Sequence, residues 1–299
     1  MKIFRIAAGV ILVLIASLVT ILIIWKNTSY ADMYQHWLEA TPTVNSKEKK
    51  EVYKVKKASY SSNFVPPSTR TEQVSQMTKN NLDGVRYYGT IRTMNMHLNV
   101  NIYDGISNQI FNTGNAGAYQ GFDFNSGNST IAAHTYAELG WNYYDGLTMI
   151  QKEMNVGDKF YAYDGNNHYY EYEVFNKEVI PAKNGIYITD RKRSEDKQFN
   201  PSGKPVLTMY DCYEPATGFL KYPPDRNVVY SNMVNKYDKH NVPKNIKNLF
   251  RGMPTYYYDK ETKTMKVKDA SRKGNLTLQF EDFLFKTLKV QKLISLLNF

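Results

Sequence analysis

Three residues of this chain carry side chains suited to acyl transfer, and each stands at the edge of a strand-like run. Cys212, the single cysteine among 299 residues, closes the stretch Val206-Leu207-Thr208-Met209-Tyr210-Asp211-Cys212-Tyr213, whose apolar and β-branched residues read as a buried strand opening into a loop. His134 ends the apolar segment Ser129-Thr130-Ile131-Ala132-Ala133-His134-Thr135, and Arg226 opens a further strand-like run, Arg226-Asn227-Val228-Val229-Tyr230-Ser231. A thiolate attacks a carbonyl readily and leaves a thioester that still reacts with amines. An imidazole can protonate a departing amine and deprotonate an incoming one. A guanidinium is always charged and offers a rigid set of donors to an oxyanion. Taken singly, each residue also has a plainer reading: a small buried hydrophobe, a structural histidine and a surface ion pair. Ala132 and Ala133 are small enough to line a groove beside His134, or simply to pack in the core. The remaining histidines, His36, His97, His168 and His240, have no cysteine or carboxylate cluster at ligand spacing, so neither a metal nor a cofactor is expected.

The elements that must hold these residues read as strands. Ile91 to Tyr103 alternates loosely, Asp104-Gly105 marks a turn, and Ser107 to Phe111 suits a short helix before a Gly/Asn-rich loop reaching Asn128. Val156-Gly157-Asp158 leads into a strand from Lys159 to Tyr163, Gly165-Asn166-Asn167 signals a hairpin, and Tyr169 to Phe175 is the return strand. Val179 to Thr189 reads as a strand and bend, Asp190 to Lys204 as a polar loop, and Glu214 to Asp225 as a proline-containing loop framing Cys212. Strands recur at hairpin spacing and long helices are scarce, which predicts an all-β barrel with short helices.

Residues Ile6 to Trp25 are twenty uncharged, almost wholly apolar positions, enough for a helix about 30 Å long that spans a bilayer core. Lys2 and Arg5 precede them, so the positive-inside rule sets the bulk of the chain outside; a cleaved signal peptide is the rival reading. The expected organisation is a transmembrane anchor over 1–26, a polar stalk over 27–84, a folded domain over 85–235, and a linker with a basic, ragged amphipathic tail over 236–299. That tail packs on the barrel or lies on the membrane surface. A net charge of +10 suits anionic lipid or wall polymers. No zinc-finger or RNP pattern is present, so a nucleic-acid partner is not expected.

In order and spacing, His134 after its apolar strand, the run Thr208 to Cys212, and Arg226 followed by Val228 and Val229 resemble the sortases, the membrane-anchored cysteine transpeptidases of Gram-positive cell walls. The likeness covers roughly Gly89 to Ser231. It implies an eight-stranded barrel, catalytic roles for Cys212, His134 and Arg226, and a substrate groove lined by Ala132, Ala133 and Thr208. By the same resemblance the substrate is an LPxTG-like sorting signal, the acceptor is lipid II or another cell-wall amine, and the location is the cell membrane with the domain extracytoplasmic. A pilus-polymerising sortase, or a non-catalytic module that binds wall or pilin peptides, are the alternatives. Two positions depart from the family's Thr-Leu-x-Thr-Cys pattern: Met209 stands for leucine and Asp211 for threonine. A carboxylate close to a thiol disfavours the thiolate, whereas strand alternation would turn Asp211 to the opposite face.

Overall fold

The computed structural model describes residues 52–60, 84–94, 98–135, 146–213, 224–251 and 255–269, with Ser17, Leu82 and Met253 as single positions. In chain order the strands among them are β1 (Val52–Lys54), β2 (Tyr87–Arg92), β3 (Asn99–Asp104), β4 (Ala116–Ala118), β5 (Asn128–Ala132), β6 (Lys159–Tyr163), β7 (His168–Pro181), β8 (Val206–Cys212), β9 (Asp225–Asp238), β10 (Thr255–Asp259) and β11 (Thr264–Asp269). Four short helices accompany them: α1 (Asn108–Phe111), α2 (Thr148–Lys152), α3 (Gly185–Thr189) and α4 (Lys244–Leu249). Eight strands close a barrel in the order β2-β3-β4-β5-β8-β9-β7-β6, and β1, β11 and β10 form a separate three-stranded sheet. Closure leaves the barrel no open edge.

Alternation along each strand sorts side chains to the two faces of the wall. Inside are Val100, Ile102, Ile131, Phe160, Tyr172, Leu207, Met209 and Val229, all within one buried cluster. On the outer face, Ala132 packs with Phe111, Tyr103 and Met265 from the terminal sheet, while Val228 and Tyr230 pack under α3 through Ile188. Helix α2 plugs one end of the barrel, with Leu147, Ile150 and Met154 joining the inner cluster.

The sequence reading meets the structure closely where the period of two is unbroken. Lys159 to Tyr163 is a strand with those bounds. By contrast, β7 runs on to Pro181, well past the expected end at Phe175. A bulge at Phe175, between Val174 and Asn176, shifts its alternation, which makes one long strand look like two. The bend then resolves into a 3₁₀ turn over Ala182–Asn184 and α3. β9 likewise continues through the expected linker to Asp238, because its far half pairs with the start of β7 (Tyr169↔Tyr237). The stretch expected as stalk contains β1, and the stretch expected as linker and tail contains α4, β10 and β11. A three-residue strand has no periodicity to read, and β1 exists only through its pairing with β11 (Val52↔Lys266). Segment 55–60 then runs against the barrel, where Ile106 N–H donates to Ser59 O (2.7 Å). Gly105 permits this approach: its φ is +108°, and a Cβ there would sit 2.6 Å from Ser59 O.

Among the described residues no helix is long and apolar enough to cross a membrane. Apart from Ser17, the expected span Ile6 to Trp25 lies outside them, as does the tail segment Asn275 to Phe299.

Ile131 is fully buried on β5. Truncating it leaves a cavity between β5 and β8, so Ile131→Ala is expected to lower unfolding free energy by about 2–5 kcal/mol in urea denaturation. A loss below about 1 kcal/mol would contradict a tightly packed barrel interior.

Candidate active site

The site forms where three neighbouring strands end. β8 and β9 are antiparallel, and their register makes Cys212 and Arg226 direct cross-strand partners. Tyr213 N–H donates to Asp225 O (3.1 Å), so 213/225 is a hydrogen-bonded pair. Cys212/Arg226 is then the adjacent non-hydrogen-bonded pair, the kind whose side chains stand closest. β5 runs parallel to β8 with Ala132 opposite Tyr210, and Ala133 N–H still reaches Tyr210 O (3.4 Å). Carried two residues further, that register brings His134 alongside Cys212. All three residues share the outer-face parity of Ala132, Tyr210 and Val228.

His134 is 6% exposed. Its Nε2 lies 3.1 Å from Asn112 Oδ1 at the end of α1, and Phe111 meets its ring edge-on at 5.2 Å. Leu147 N–H donates to its carbonyl (3.3 Å), tying the start of α2 to the histidine backbone. Burial pushes the imidazole pKa down from 6.5 to about 4, so the ring is neutral at pH 7. At neutral pH the ring is therefore an uncharged acceptor.

Two phenols complete the outer face. Tyr210 lies two residues before Cys212 on the same side of β8, and its hydroxyl is hydrogen-bonded to that of Tyr119. Burial raises both phenol pKa values, with the neighbouring Arg226 pulling each back. They stay protonated through the neutral range and can donate.

The other expected site residues divide. Ala132 is on the outer face with the site, whereas Ala133 packs into the barrel interior. Thr208 is fully buried and donates to Asn128 Oδ1 (2.6 Å); Asn128 in turn donates to the carbonyls of Ile188 and Asp190. Thr208 thus braces the connection between β7 and β8 rather than opening onto the Cys212 end. Asp211 is turned to the inner face, 1% exposed, and accepts from Asn227 Nδ2 (2.9 Å). The carboxylate and the thiol are therefore on opposite sides of the wall. Asn112, Phe111 and Tyr119 escaped the sequence reading because they reach the site from a short helix and a loop distant in sequence. Tyr210 was legible in principle, two residues from Cys212 on one strand. The flanking stretches 136–145 and 214–223 lie outside the described residues. Among the described residues no three His, Cys, Asp or Glu side chains converge as a metal site requires.

A closed eight-stranded barrel with thiol, imidazole and guanidinium on one face of three adjacent strand ends defines a β-barrel cysteine-site protein. Residues 90–234 match the family model of the Sortase domain. That match places the barrel domain over 90–234 in the sortase family, whose members are cysteine transpeptidases. Similar solved structures include sortase A of Listeria monocytogenes (18% identity, 55% of this chain and 96% of that one, TM-score 0.41). Others are the SrtA sortase of Actinomyces oris (16% identity, 54% and 87%, TM-score 0.43) and sortase C-3 of Streptococcus pneumoniae (19% identity, 71% and 86%, TM-score 0.40). No curated protein matches the chain. The family assignment rests on the match over 90–234.

Because the folded-state pKa of His134 is depressed, the unfolded chain binds more protons between pH 6.5 and 4, and stability falls as pH drops through that window. Between pH 7 and pH 5 the His134 contribution to this loss is about 2 kcal/mol. Urea denaturation at the two pH values should show it in the wild type and not in His134→Asn. Equal pH dependence in both proteins would contradict a buried neutral imidazole.

Proposed function

We propose that this chain is a membrane-anchored transpeptidase whose extracytoplasmic barrel cleaves an LPxTG-like sorting signal and transfers the acyl half to a cell-wall precursor amine such as that of lipid II. The observation that carries the reading is the strand register: it pairs Cys212 with Arg226, and it pairs Ala132, two residues before His134, with Tyr210, two residues before Cys212. The apolar stretch Ile6 to Trp25 supports the anchor.

The chemistry follows from the groups present. His134, neutral at rest, takes the thiol proton, and the Cys212 thiolate attacks the threonine carbonyl carbon of the signal. Arg226 donates to the oxyanion that forms, with the Tyr119–Tyr210 hydroxyl pair nearby as a second donor source. The carbon–nitrogen bond breaks as the imidazolium gives its proton to the leaving amine, which leaves a thioester on Cys212. An incoming amine then attacks the thioester and passes a proton to the imidazole. The carbon–sulfur bond breaks, the thiolate is reprotonated, and the acyl group leaves on its new amine.

A quenched fluorescent LPxTG-type peptide, with and without an amine acceptor, tests this. The wild type should cleave it and ligate the acyl half to the acceptor. Cys212→Ala should do neither, and Arg226→Ala should lower kcat by roughly 10²–10³ through loss of an oxyanion donor. Ligation to a lysine side chain in preference to a wall-type amine would favour the pilus-polymerising variant. Peptide binding without cleavage by the folded wild type would replace the transpeptidase with a binding module.

A further inference from the structure

The inner face of the wall behind Cys212 carries two charged groups that neither the acyl-transfer chemistry nor the core requires. Asp211 and Asn227 are cross-strand partners on β8 and β9, and Asn227 is in turn opposite Val179 on β7. Lys177 is two residues before Val179 and pairs with Val229, an inner-cluster residue. Asp211 and Lys177 therefore project from the same side of three consecutive strands, at the barrel end plugged by α2. The Lys177 ammonium donates to Gln151 O (2.9 Å) and Met154 O (2.7 Å), the carbonyls at the C-terminal end of α2. Such placement suits a cation. At its other end α2 is tied to His134, through Leu147 N–H and the His134 carbonyl.

We propose that Lys177 is a positioning residue for the nucleophile: it offsets the Asp211 carboxylate across the barrel wall, so that the anion next to Cys212 in sequence does not suppress the thiolate. This deepens the reading of Cys212 as the nucleophile and rests on it. Burial lowers the Lys177 pKa, and Asp211 and Asp158 push it back up, in keeping with a charged lysine facing Asp211. Among the described residues, the charged and titratable groups on the outer side of this wall are Arg226, His134, Tyr210 and Tyr119, with Asp225 next to Arg226 in the chain. On the inner side they are Asp211 and Lys177, with Asp158 beyond. The three inner groups set a background that the outer ones then modify. In the same network Lys177, α2 and Leu147 link the β7–β9 wall to the histidine, so one ammonium acts on both halves of the reacting pair.

The test needs no substrate, because the chain has one thiol. The rate of Cys212 alkylation by iodoacetamide is measured against pH in the full-length chain for wild type, Lys177→Met, Lys177→Arg, Asp211→Asn and the Lys177→Met/Asp211→Asn double variant. Lys177→Met should slow alkylation at pH 7 roughly three- to tenfold, an upward shift of 0.5–1 pKa unit. Lys177→Arg should keep the wild-type profile, and the Lys177→Met/Asp211→Asn double variant, which loses one charge of each sign, should return close to it. Asp211→Asn alone, nearly isosteric and able to accept from Asn227, should speed alkylation at pH 7. A double variant as slow as Lys177→Met, or slowing with no shift of the profile along the pH axis, would show a merely structural lysine and overturn the proposal. If Lys177→Met does not fold, an Asp211→Asn profile identical to wild type overturns it instead. A profile that shifts as expected in a protein that cleaves no sorting peptide would uphold the charge coupling while removing the transpeptidase.

Discussion

The pairing register of β5, β8 and β9 is the constraint on which everything else depends. In a wall with a period of two, a slip of one residue exchanges the inner and outer faces. Such a slip on β8 would send Cys212 into the barrel and bring Asp211 out beside Arg226. The apolar residues forbid it: Leu207 and Met209 fill the interior against Ile131 and Val229, and moving them outward would expose that surface and leave polar groups inside. The force that fixes the site is thus ordinary hydrophobic burial, acting several residues from the chemistry. Barrel closure strengthens it, because every strand in the ring has two neighbours that would have to slip as well.

Burial also sets the chemistry. His134 sits in a pocket made by Phe111, Asn112 and the start of α2, and the loss of water there keeps its ring neutral. A charged imidazole already holds its proton, whereas a neutral one is able to accept one. The terminal sheet contributes at one remove. Met265 of β11 belongs to the same cluster as Phe111 and Ala132, so parts of the chain distant in sequence from the three site residues help to keep the histidine dry. The site is therefore braced from two sides, by α2 at the barrel end and by the β1–β11–β10 sheet on the outer face.

The strand segments beside Cys212, His134 and Arg226 were legible in sequence because each is a short run of apolar and β-branched residues, whereas the far half of β9 was not. What sequence could not show was set by contacts distant in the chain. β7 hid behind the bulge at Phe175, β1 behind its brevity, and Asn112 and Tyr119 behind a stretch that reads as loop. Ala133 illustrates the limit of composition: a small residue beside a histidine suits a groove or a core equally, and only the face it occupies decides. Asp211 shows the reverse, since strand alternation by itself indicates the inner face, where Asn227 meets it. Lys177, on the same wall one strand beyond β9, lies 34 positions earlier in the chain, with nothing local to mark it.

The most direct measurement is intact-mass spectrometry of the full-length chain incubated with an LPxTG-type peptide. The account predicts a mass increase equal to the peptide's N-terminal half, carried on Cys212, released by hydroxylamine and absent from Cys212→Ala. Peptide cleavage with no thiol-bound intermediate, or an adduct that persists in Cys212→Ala, would contradict it.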